Sequence, residues 1–327
     1  MNTLSFVLYI LFARPKTVVN LWHLRSMNGM AFYAIDSLYS SGFEAQTIFV
    51  FRSRTISNLF RENLGSQILF YDSSFFSYAF LVLPLLIIYN LFSSVVVDSP
   101  TCHPLPFLRN QKIVLHDTYP FAHGGLAILR RSILYFSLLV SRTCIRYINK
   151  SDSLSFALSL SRATFSPGIF YVPNRFPEPV VFTPLPFTTG HLVIGLVGSS
   201  SSKKNYAFLL ERMRSLGFNH ASFLVYGLYT HYLYTVVRST RFSVDVCDSN
   251  KNSFGQFFAS IHILVNIAEY EGFCRPVAAA VASGVPVYLL DTPVMQEFYS
   301  GSDARIFPVV DNLLQAVARD YPPMDHC

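Results

Sequence analysis

Three features of the 327-residue sequence predict an α/β protein with parallel sheets: short β-branched runs, longer helical stretches between them, and strands that are apolar throughout. Strands that alternate with helices form parallel sheets that carry helices on both faces. Strands covered on both faces are apolar at every position instead of every second one. We therefore expect two Rossmann-like domains, residues 1–178 and 179–327, whose parallel sheets face each other across a cleft.

The predicted strands are spaced so that a helix fits between most neighbours. They are Thr47–Phe51, Ser94–Val97, Lys112–Leu115, Ile169–Val172, Leu192–Val197, Ser222–Tyr226, Ile261–Val265 and Val287–Leu289. The predicted helices are Met30–Ser41, Ile128–Arg142, Asn205–Ser215 and Pro276–Ala282. The apolar run Leu4–Phe12 is shorter than the roughly 20 residues that span a bilayer. We expect a buried first strand there, continuing through Val18–Leu21.

The segment Tyr78–Val97 carries no charge and is long enough to span a bilayer. Pro84, Asn90 and two serines interrupt it, and it ends in a β-branched run followed by a turn. We expect a buried helix followed by a strand. A membrane-spanning or membrane-contacting element is the alternative.

The boundary between the two domains is predicted by five prolines that fall between Pro173 and Thr189. Because proline stops helices and central strands, this stretch is typical of a semi-rigid linker. A cleft between two domains of similar size is a favoured place for a ligand.

Composition excludes several classes of protein. With 51% hydrophobic and 13% charged residues, the chain has ample apolar surface to fold, so intrinsic disorder is excluded. The five cysteines are far apart without a Cys-x-x-Cys pair, which excludes a disulfide scaffold and argues against a zinc site. The net charge of +6 is scattered, which argues against a dedicated nucleic-acid-binding protein. An anionic small molecule such as a nucleotide, or an anionic membrane surface, fits this charge.

Two loops in the second half carry residues suited to a phosphorylated sugar. The first runs from Gly198 through four serines to Lys204, between a predicted strand and a helix. Its backbone N–H groups, the helix N-terminus and the lysine form a candidate diphosphate cradle, and an ordinary flexible loop is the alternative. In the second loop, Glu271 precedes a small-residue helix that ends at Gly284. Its carboxylate can accept hydrogen bonds from sugar hydroxyls or can simply cap the helix.

The first half offers weaker signals. His116 and Asp117 follow a predicted strand, where a ligand cleft would lie, and a purely structural histidine is the alternative. Gly29 falls at the first strand–helix turn, where a glycine permits close approach of a phosphate.

Together these motifs resemble the retaining nucleotide-sugar glycosyltransferases of the GT-B fold, in particular the family-4 type known as glycosyl transferases group 1. The resemblance is strongest from Glu271-Gly-Phe-Cys-Arg-Pro, through Ser283-Gly-Val-Pro-Val, to Glu297. It extends loosely backwards to the motifs at Gly198, His116 and Gly29. The GT-B fold implied by this resemblance consists of two Rossmann-like domains with parallel sheets.

The resemblance implies a donor-binding set and a reaction. The donor-binding residues it implies are Gly29, Gly198, Ser199, Lys204, Asn205, Glu271, Gly272, Phe273, Cys274 and Ala279. Glu271 would contact the donor sugar, Lys204 would neutralise the leaving diphosphate, and His116 would lie near the reacting sugar. The implied reaction transfers a hexose with retention, and a positive site stabilises the departing diphosphate. No Asp-x-Asp motif is present, so we expect neither a metal nor another cofactor.

Two positions depart from the family pattern. Ala279 stands where the family has a second glutamate for the ribose hydroxyls, and Ser199 stands where it has an arginine. These changes favour either a degenerate, inactive domain or a different donor. Because a deoxyribose lacks the 2′-hydroxyl, the absence of that glutamate would weaken the binding of a dTDP-sugar, such as dTDP-rhamnose, least.

We expect a glycosyltransferase of surface-polysaccharide synthesis, of the lipopolysaccharide O-antigen type, acting on a glycan or lipid-linked glycan and not on nucleic acid. It would be cytoplasmic and held peripherally at the inner face of the cytoplasmic membrane by anionic lipid. The alternatives are a catalytically degenerate GT-B-like binding or assembly partner, and an integral membrane protein anchored by residues 78–97.

Overall fold

Two compact units, Met1–Arg175 and Phe176–Cys327, make up the protein, and each is built on its own parallel sheet. The computed structural model describes residues 3–24, 30–31, 33–36, 47–52, 54–64, 69–100, 104–123, 125–164, 168–188, 190–199 and 201–323. The predicted α/β class with two parallel-sheet domains is confirmed.

Seven strands form the sheet of the N-terminal unit, in the order β3-β2-β1-β4-β5-β6-β7. They are β1 Thr17–Asn20, β2 Thr47–Phe51, β3 Leu69–Asp72, β4 Val96–Ser99, β5 Gln111–Leu115, β6 Thr143–Tyr147 and β7 Ile169–Tyr171. The helices are α1 Thr3–Leu8, which continues as a π-helix over Tyr9–Ala13, α2 Arg54–Leu64, α3 Phe75–Phe92, α4 Tyr119–Ala122, α5 Ala127–Leu139 and α6 Ser153–Thr164. Residues 30–31 and 33–36 are also helical.

Strand register places four of these helices on one face of the sheet. Val18 pairs with Val97, and Val97 pairs with Gln111. Two residues further along β5, Ile113 pairs with Ile145. Paired residues, and residues two apart along a strand, point to the same face. Since α1 and α3 pack on Val18, and α5 and α6 pack on Ile113 and Ile145, all four helices cover this face. The opposite face is covered by α2 and by the helical residues 30–31 and 33–36.

Six strands form the sheet of the C-terminal unit, in the order β10-β9-β8-β11-β12-β13. They are β8 Leu192–Val197, β9 Ala221–Gly227, β10 Val244–Asp248, β11 Ile263–Asn266, β12 Val287–Leu290 and β13 Arg305–Phe307. The helices are a 3₁₀ turn at Ser202–Lys204, α7 Tyr206–Ser215, α8 His231–Ser239, α9 Phe254–Phe258, α10 Arg275–Ala282, α11 Pro293–Tyr299 and α12 Val310–Asp320. The strand order reverses between β8 and β11. Ligands of open α/β sheets bind where the order reverses.

The expectation of a first strand at Leu4–Phe12 is wrong, because this run is helical. Phe6 and Ile10, four residues apart, are fully buried against the sheet, whereas Leu8 and Phe12 are exposed. A short apolar run fits a strand and a buried helix equally well, and only the helical spacing of its buried residues distinguishes them.

The segment at residues 78–97 is a helix followed by a strand, as predicted, but the helix is not buried. Its buried residues form a single stripe with a spacing of four: Tyr78, Val82, Leu86 and Asn90. Only 22% of α3 is buried, and by length and composition alone it could cross a membrane.

The proline-rich stretch after Pro173 forms neither helix nor strand, but it is not a free linker. The Phe176 ring contacts the rings of Phe273 and Tyr299, with centroids 5.6 and 5.7 Å away. Further along, the Val180 N–H donates to Ser283 Oγ at 2.8 Å. From Phe176 onwards the stretch is therefore packed onto the C-terminal unit.

Candidate functional site

The two loops singled out in the second half of the sequence meet where the C-terminal sheet reverses. Lys204 follows β8, Glu271 follows the neighbouring strand β11, and Lys204 Nζ donates a hydrogen bond to Glu271 Oε1 within an ion pair. Both side chains are buried, with 11% and 9% of their surface exposed. The fold thus places a buried pair of opposite charges at the position where such sheets bind ligands.

Both members of this pair are held in their charged forms. Burial raises the pKa of Glu271, but the charges of Lys204 and Lys203 and the hydrogen bond from Lys204 outweigh it, so the pKa falls below its ordinary value. Burial lowers the pKa of Lys204, but the Glu271 carboxylate outweighs it and raises the pKa. A carboxylate and an ammonium therefore face each other at neutral pH, each dependent on the other.

The loop after β8 is shaped around Lys204. Gly198 has φ +82°, and a Cβ at this position would lie 2.9 Å from Lys204 Cε. The backbone conformation therefore favours glycine, and a larger residue would also press on the end of the Lys204 side chain. Asn205, with φ 54°, ends the 3₁₀ turn and begins α7, and its Nδ2 donates to Glu269 Oε1 at 3.4 Å.

The loop after β11 is held by Tyr299, which the sequence analysis did not identify. Its hydroxyl donates to the carbonyl oxygens of Phe273 and Cys274. Burial and the Glu271 charge raise the pKa of Cys274 to about 12, so this thiol is protonated at neutral pH and is not a nucleophile. Tyr299 lies in α11, far along the chain, and no local pattern marks it.

Ser199 and Ala279, the two residues that depart from the family pattern, are both buried. Ser199 Oγ accepts a hydrogen bond from the Leu228 N–H at 3.0 Å, and the Ser199 carbonyl accepts one from Thr230 Oγ1. Ala279 lies in α10 and has no exposed surface. Neither residue offers a charge to a ligand.

His116 belongs to the N-terminal unit, at the end of β5. One ring nitrogen, Nε2, lies 2.8 Å from the Pro100 carbonyl oxygen, and burial lowers the pKa of His116, so the ring is neutral at neutral pH. It lines a cavity of about 510 Å³. The other residues around this cavity are Met30, Pro104, Asp117, Pro120, Phe121, Arg130, Ile133 and Leu134.

The structure thus brings together the predicted residues of the second half and places His116 in the other unit. The grouped residues are Gly198, Ser199, Lys204, Asn205, Glu271, Gly272, Phe273 and Cys274. Gly29 lies outside the described residues. Within the ranges that the structure describes, no three His, Cys, Asp or Glu side chains are grouped to hold a metal ion.

No protein-family model and no curated protein matches the sequence. Solved structures match over most of the chain. HepE from Anabaena in complex with UDP and glucose aligns with a TM-score of 0.66 and 13% identity, covering 93% of this chain and 89% of HepE. A glycosyltransferase from Rickettsia africae aligns with a TM-score of 0.60 and 11% identity, covering 93% and 88%. The lipopolysaccharide outer core galactosyltransferase WaaB gives 0.56 and 12%, covering 93% and 89%.

At identities this low, the likeness establishes the fold and not the activity. The two parallel sheets of this chain, with seven and six strands, fit the fold of these structures. Nearly the whole chain aligns with HepE. The chain adopts the GT-B fold of these glycosyltransferases.

Proposed function

We propose that this protein is a glycosyltransferase that takes a sugar from a nucleoside-diphosphate donor bound at the reversal point of its C-terminal sheet. The buried Lys204–Glu271 pair carries this proposal. Replacing a buried ion pair by well-packed apolar residues is often neutral or stabilising, so stability alone does not explain the pair. An ammonium offers its charge to a diphosphate, and a carboxylate accepts hydrogen bonds from sugar hydroxyls.

The ligands of the structural neighbours support a nucleotide sugar as donor. HepE was crystallised with UDP and glucose and with UDP-glucose, and WaaB is described as a galactosyltransferase. The same fold here carries a buried lysine and glutamate at the sheet reversal.

The pair suggests how donor binding and reaction are linked. An arriving diphosphate replaces the Glu271 carboxylate as the partner of Lys204, which releases Glu271 to the sugar hydroxyls. Lys203, close enough to lower the pKa of Glu271, adds a second positive charge. As the sugar–phosphate bond breaks, negative charge grows on the diphosphate, and a preformed ammonium stabilises it most in the transition state. The acceptor hydroxyl then attacks the anomeric carbon on the face that the diphosphate leaves and gives its proton to the departing diphosphate, which retains the configuration of the hexose.

The donor we propose is a dTDP-sugar, with dTDP-rhamnose as the first candidate. Ala279 is fully buried and carries no carboxylate for the ribose hydroxyls. A 2′-deoxyribose lacks one of those hydroxyls, so its binding is weakened least by the absence of this carboxylate. Calorimetric titration with dTDP, UDP and GDP tests this choice. Preference for UDP or GDP would refute the dTDP assignment and leave the transferase proposal standing.

On the acceptor side, we propose that the His116 cavity receives a glycan or lipid-linked glycan in surface-polysaccharide synthesis at the inner face of the cytoplasmic membrane. The cavity combines apolar side chains with His116, Asp117 and Arg130, so it offers both apolar and polar contacts. The neutral His116 ring can hydrogen-bond a sugar hydroxyl without a charge.

A second candidate is a GT-B-like binding or assembly partner without catalysis. It is favoured by Ser199 and Ala279, neither of which supplies the charge found in the family. Measuring nucleoside-diphosphate release from UDP-, GDP-, ADP- and dTDP-sugars separates the two candidates. Release by the wild type that falls about 100-fold or more in Glu271→Gln supports the transferase. Binding without release by the wild type supports the partner.

A further inference from the structure

The helices on one face of the N-terminal sheet expose apolar side chains where surface helices normally carry polar ones. Among the described residues, 17 of the 27 exposed large hydrophobic side chains lie on α1, α3, α5 and α6 or on loops beside them. These are Leu4, Leu8, Leu11, Phe12, Phe75, Phe76, Phe80, Ile88, Phe92, Phe107, Leu126, Ile128, Leu129, Ile133, Phe136, Leu139 and Leu158. We refer to this surface as the apolar helix face.

Helix α5 shows the pattern most clearly. Leu134 and Leu138 point inward and pack on β5 and β6. On the outward side, Ile128 is 84% exposed, and Ile133 and Phe136 are more than half exposed. A surface helix of a water-facing domain places polar residues at such positions. Apolar residues on both sides of a helix indicate that the outer side also meets an apolar medium.

The charged residues within the four helices of this face have one sign. The sequences of α1, α3, α5 and α6 contain no Asp or Glu, and they contain Arg130, Arg131 and Arg162. Arg14 and Lys16 directly follow the π-helical end of α1. A membrane with anionic lipids attracts arginine and lysine and also accepts apolar side chains. A second copy of the same face would instead bring like charges together.

We propose that the apolar helix face lies on the surface of a membrane that contains anionic lipids. Its phenyl and aliphatic side chains enter the headgroup region, and Arg130 and Arg131 contact lipid phosphates. In this arrangement α3 lies in the plane of the membrane and does not cross it, because buried polar contacts tie both of its ends into the domain. Asn90 Oδ1 accepts from the Arg109 N–H at 2.6 Å, and Asn90 Nδ2 donates to the Val95 carbonyl at 2.8 Å. At the other end, Asn20 Nδ2 donates to the Tyr78 hydroxyl at 3.1 Å.

This placement also brings an entrance of the His116 cavity to the membrane. Arg130 and Ile133 of α5 line that cavity together with His116. If the protein is the transferase proposed above, on which this step rests, its acceptor reaches His116 from the lipid surface.

Co-sedimentation with vesicles of phosphatidylcholine, with and without phosphatidylglycerol, tests the docking. We expect the full-length wild type to bind the anionic vesicles, to bind less as salt rises, and to be released by alkaline carbonate. The Arg130→Gln/Arg131→Gln variant should lose roughly 30-fold in vesicle affinity. The Ile128→Ser/Phe136→Ser variant should lose about tenfold or more.

Matched controls carry the same changes away from this face. Val181→Ser/Phe208→Ser alters exposed apolar residues of the C-terminal unit, and Arg54→Gln/Arg61→Gln alters the helix on the opposite face of the sheet. Each control should bind vesicles like the wild type, and circular dichroism should show every variant folded.

Four outcomes would overturn the docking. The first three are no binding of the wild type to anionic vesicles, equal losses in the face variants and the controls, and a dimer in solution that Ile128→Ser/Phe136→Ser dissociates. Retention after alkaline carbonate would show that α3 crosses the membrane and would also refute the proposal. These measurements use no nucleotide sugar, so a failed donor titration beside intact vesicle binding would refute only the transferase.

Discussion

The two units share one plan of parallel strands and helices, yet their helices differ on the outward side. Helix α12 of the C-terminal unit buries Leu313 and Val317 and exposes Gln315 and Arg319. Helix α5 of the N-terminal unit buries its inward leucines and exposes Ile128 and other apolar residues. Because only the inward residues pack in the core of each unit, the outward residues indicate which medium surrounds that surface. We infer that the α12 surface faces water and that the α5 surface faces lipid.

The largest effect that we expect concerns the charge pair of the C-terminal unit. Lys204→Met leaves the buried Glu271 carboxylate without its partner and should lower the free energy of unfolding by about 3–5 kcal/mol. Lys204→Met/Glu271→Gln removes both charges and should recover most of that loss. Urea denaturation of the wild type, Lys204→Met and the double variant measures these free energies of unfolding. A loss below about 1 kcal/mol in Lys204→Met would show that the pair is solvated.

A somewhat smaller effect tests whether α10 leaves room for a ribose-binding carboxylate. Ala279 is fully buried, so Ala279→Glu should destabilise the protein by roughly 3 kcal/mol through crowding and a buried charge. Ala282→Glu, on the same helix but partly exposed, should cost less than about 1 kcal/mol. Thermal unfolding compares them. A well-tolerated Ala279→Glu with raised UDP affinity would show that the ribose reaches this position.

Two glycines with positive φ allow strain to be separated from function. Gly198 and Gly284 have φ +82° and +75°, and alanine at either should cost about 1 kcal/mol of stability. Only at Gly198 would the new Cβ press on Lys204; at Gly284 it would meet open space. Gly198→Ala should therefore also lose about tenfold in nucleotide-sugar affinity, measured by calorimetry. Equal affinities for the two variants would show that Lys204 does not bind the donor.

The smallest effect that we expect is on the pH dependence of stability, which differs between the two units. Because burial lowers the pKa of His116, the folded protein favours the neutral ring. That contribution to stability is complete above about pH 6.5 and declines below it, by at most about 1.4 kcal/mol per pH unit. The lowered pKa of Glu271 acts in a more acidic range, because its contribution is complete above about pH 4.5 and is lost as the pH falls further.

Urea denaturation of wild type and His116→Gln at pH 7.5 and 5.5 measures the histidine effect. The pKa of His262 in the C-terminal unit is also lowered by burial, so the difference between the two proteins is the relevant quantity. The same loss between the two pH values in both proteins would rule out His116 as the group responsible.

Most of the continuously apolar strands could be predicted from the sequence, although β3 was missed, and strands interrupted by a charged residue were missed as well. The predicted bounds of Thr47–Phe51 and Leu192–Val197 agree with the structure. β6 and β10 were not predicted because Arg146 and Asp245 interrupt their apolar pattern. The ion pair that accommodates Arg146, with Asp98 on β4, is visible only after the strands are paired.

The candidate site was predictable in part for a similar reason. Local patterns identified Lys204, which follows an apolar strand in a small-residue loop, and Glu271, which precedes a small-residue helix. That they contact each other depends on β8 and β11 being neighbours, which no local pattern specifies. The hydrogen bonds from Tyr299 to the second loop depend on the packing of α11.

Calorimetric titration of UDP-, GDP-, ADP- and dTDP-sugars into the wild type and into Lys204→Met/Glu271→Gln tests the central claim most directly. The double variant has no unpaired buried charge, so it should remain folded while lacking both proposed donor contacts. We expect saturable binding of one nucleotide sugar, a dTDP-sugar, by the wild type and none by the double variant. No binding by the folded wild type, or equal binding by both proteins, would contradict a donor site at the sheet reversal.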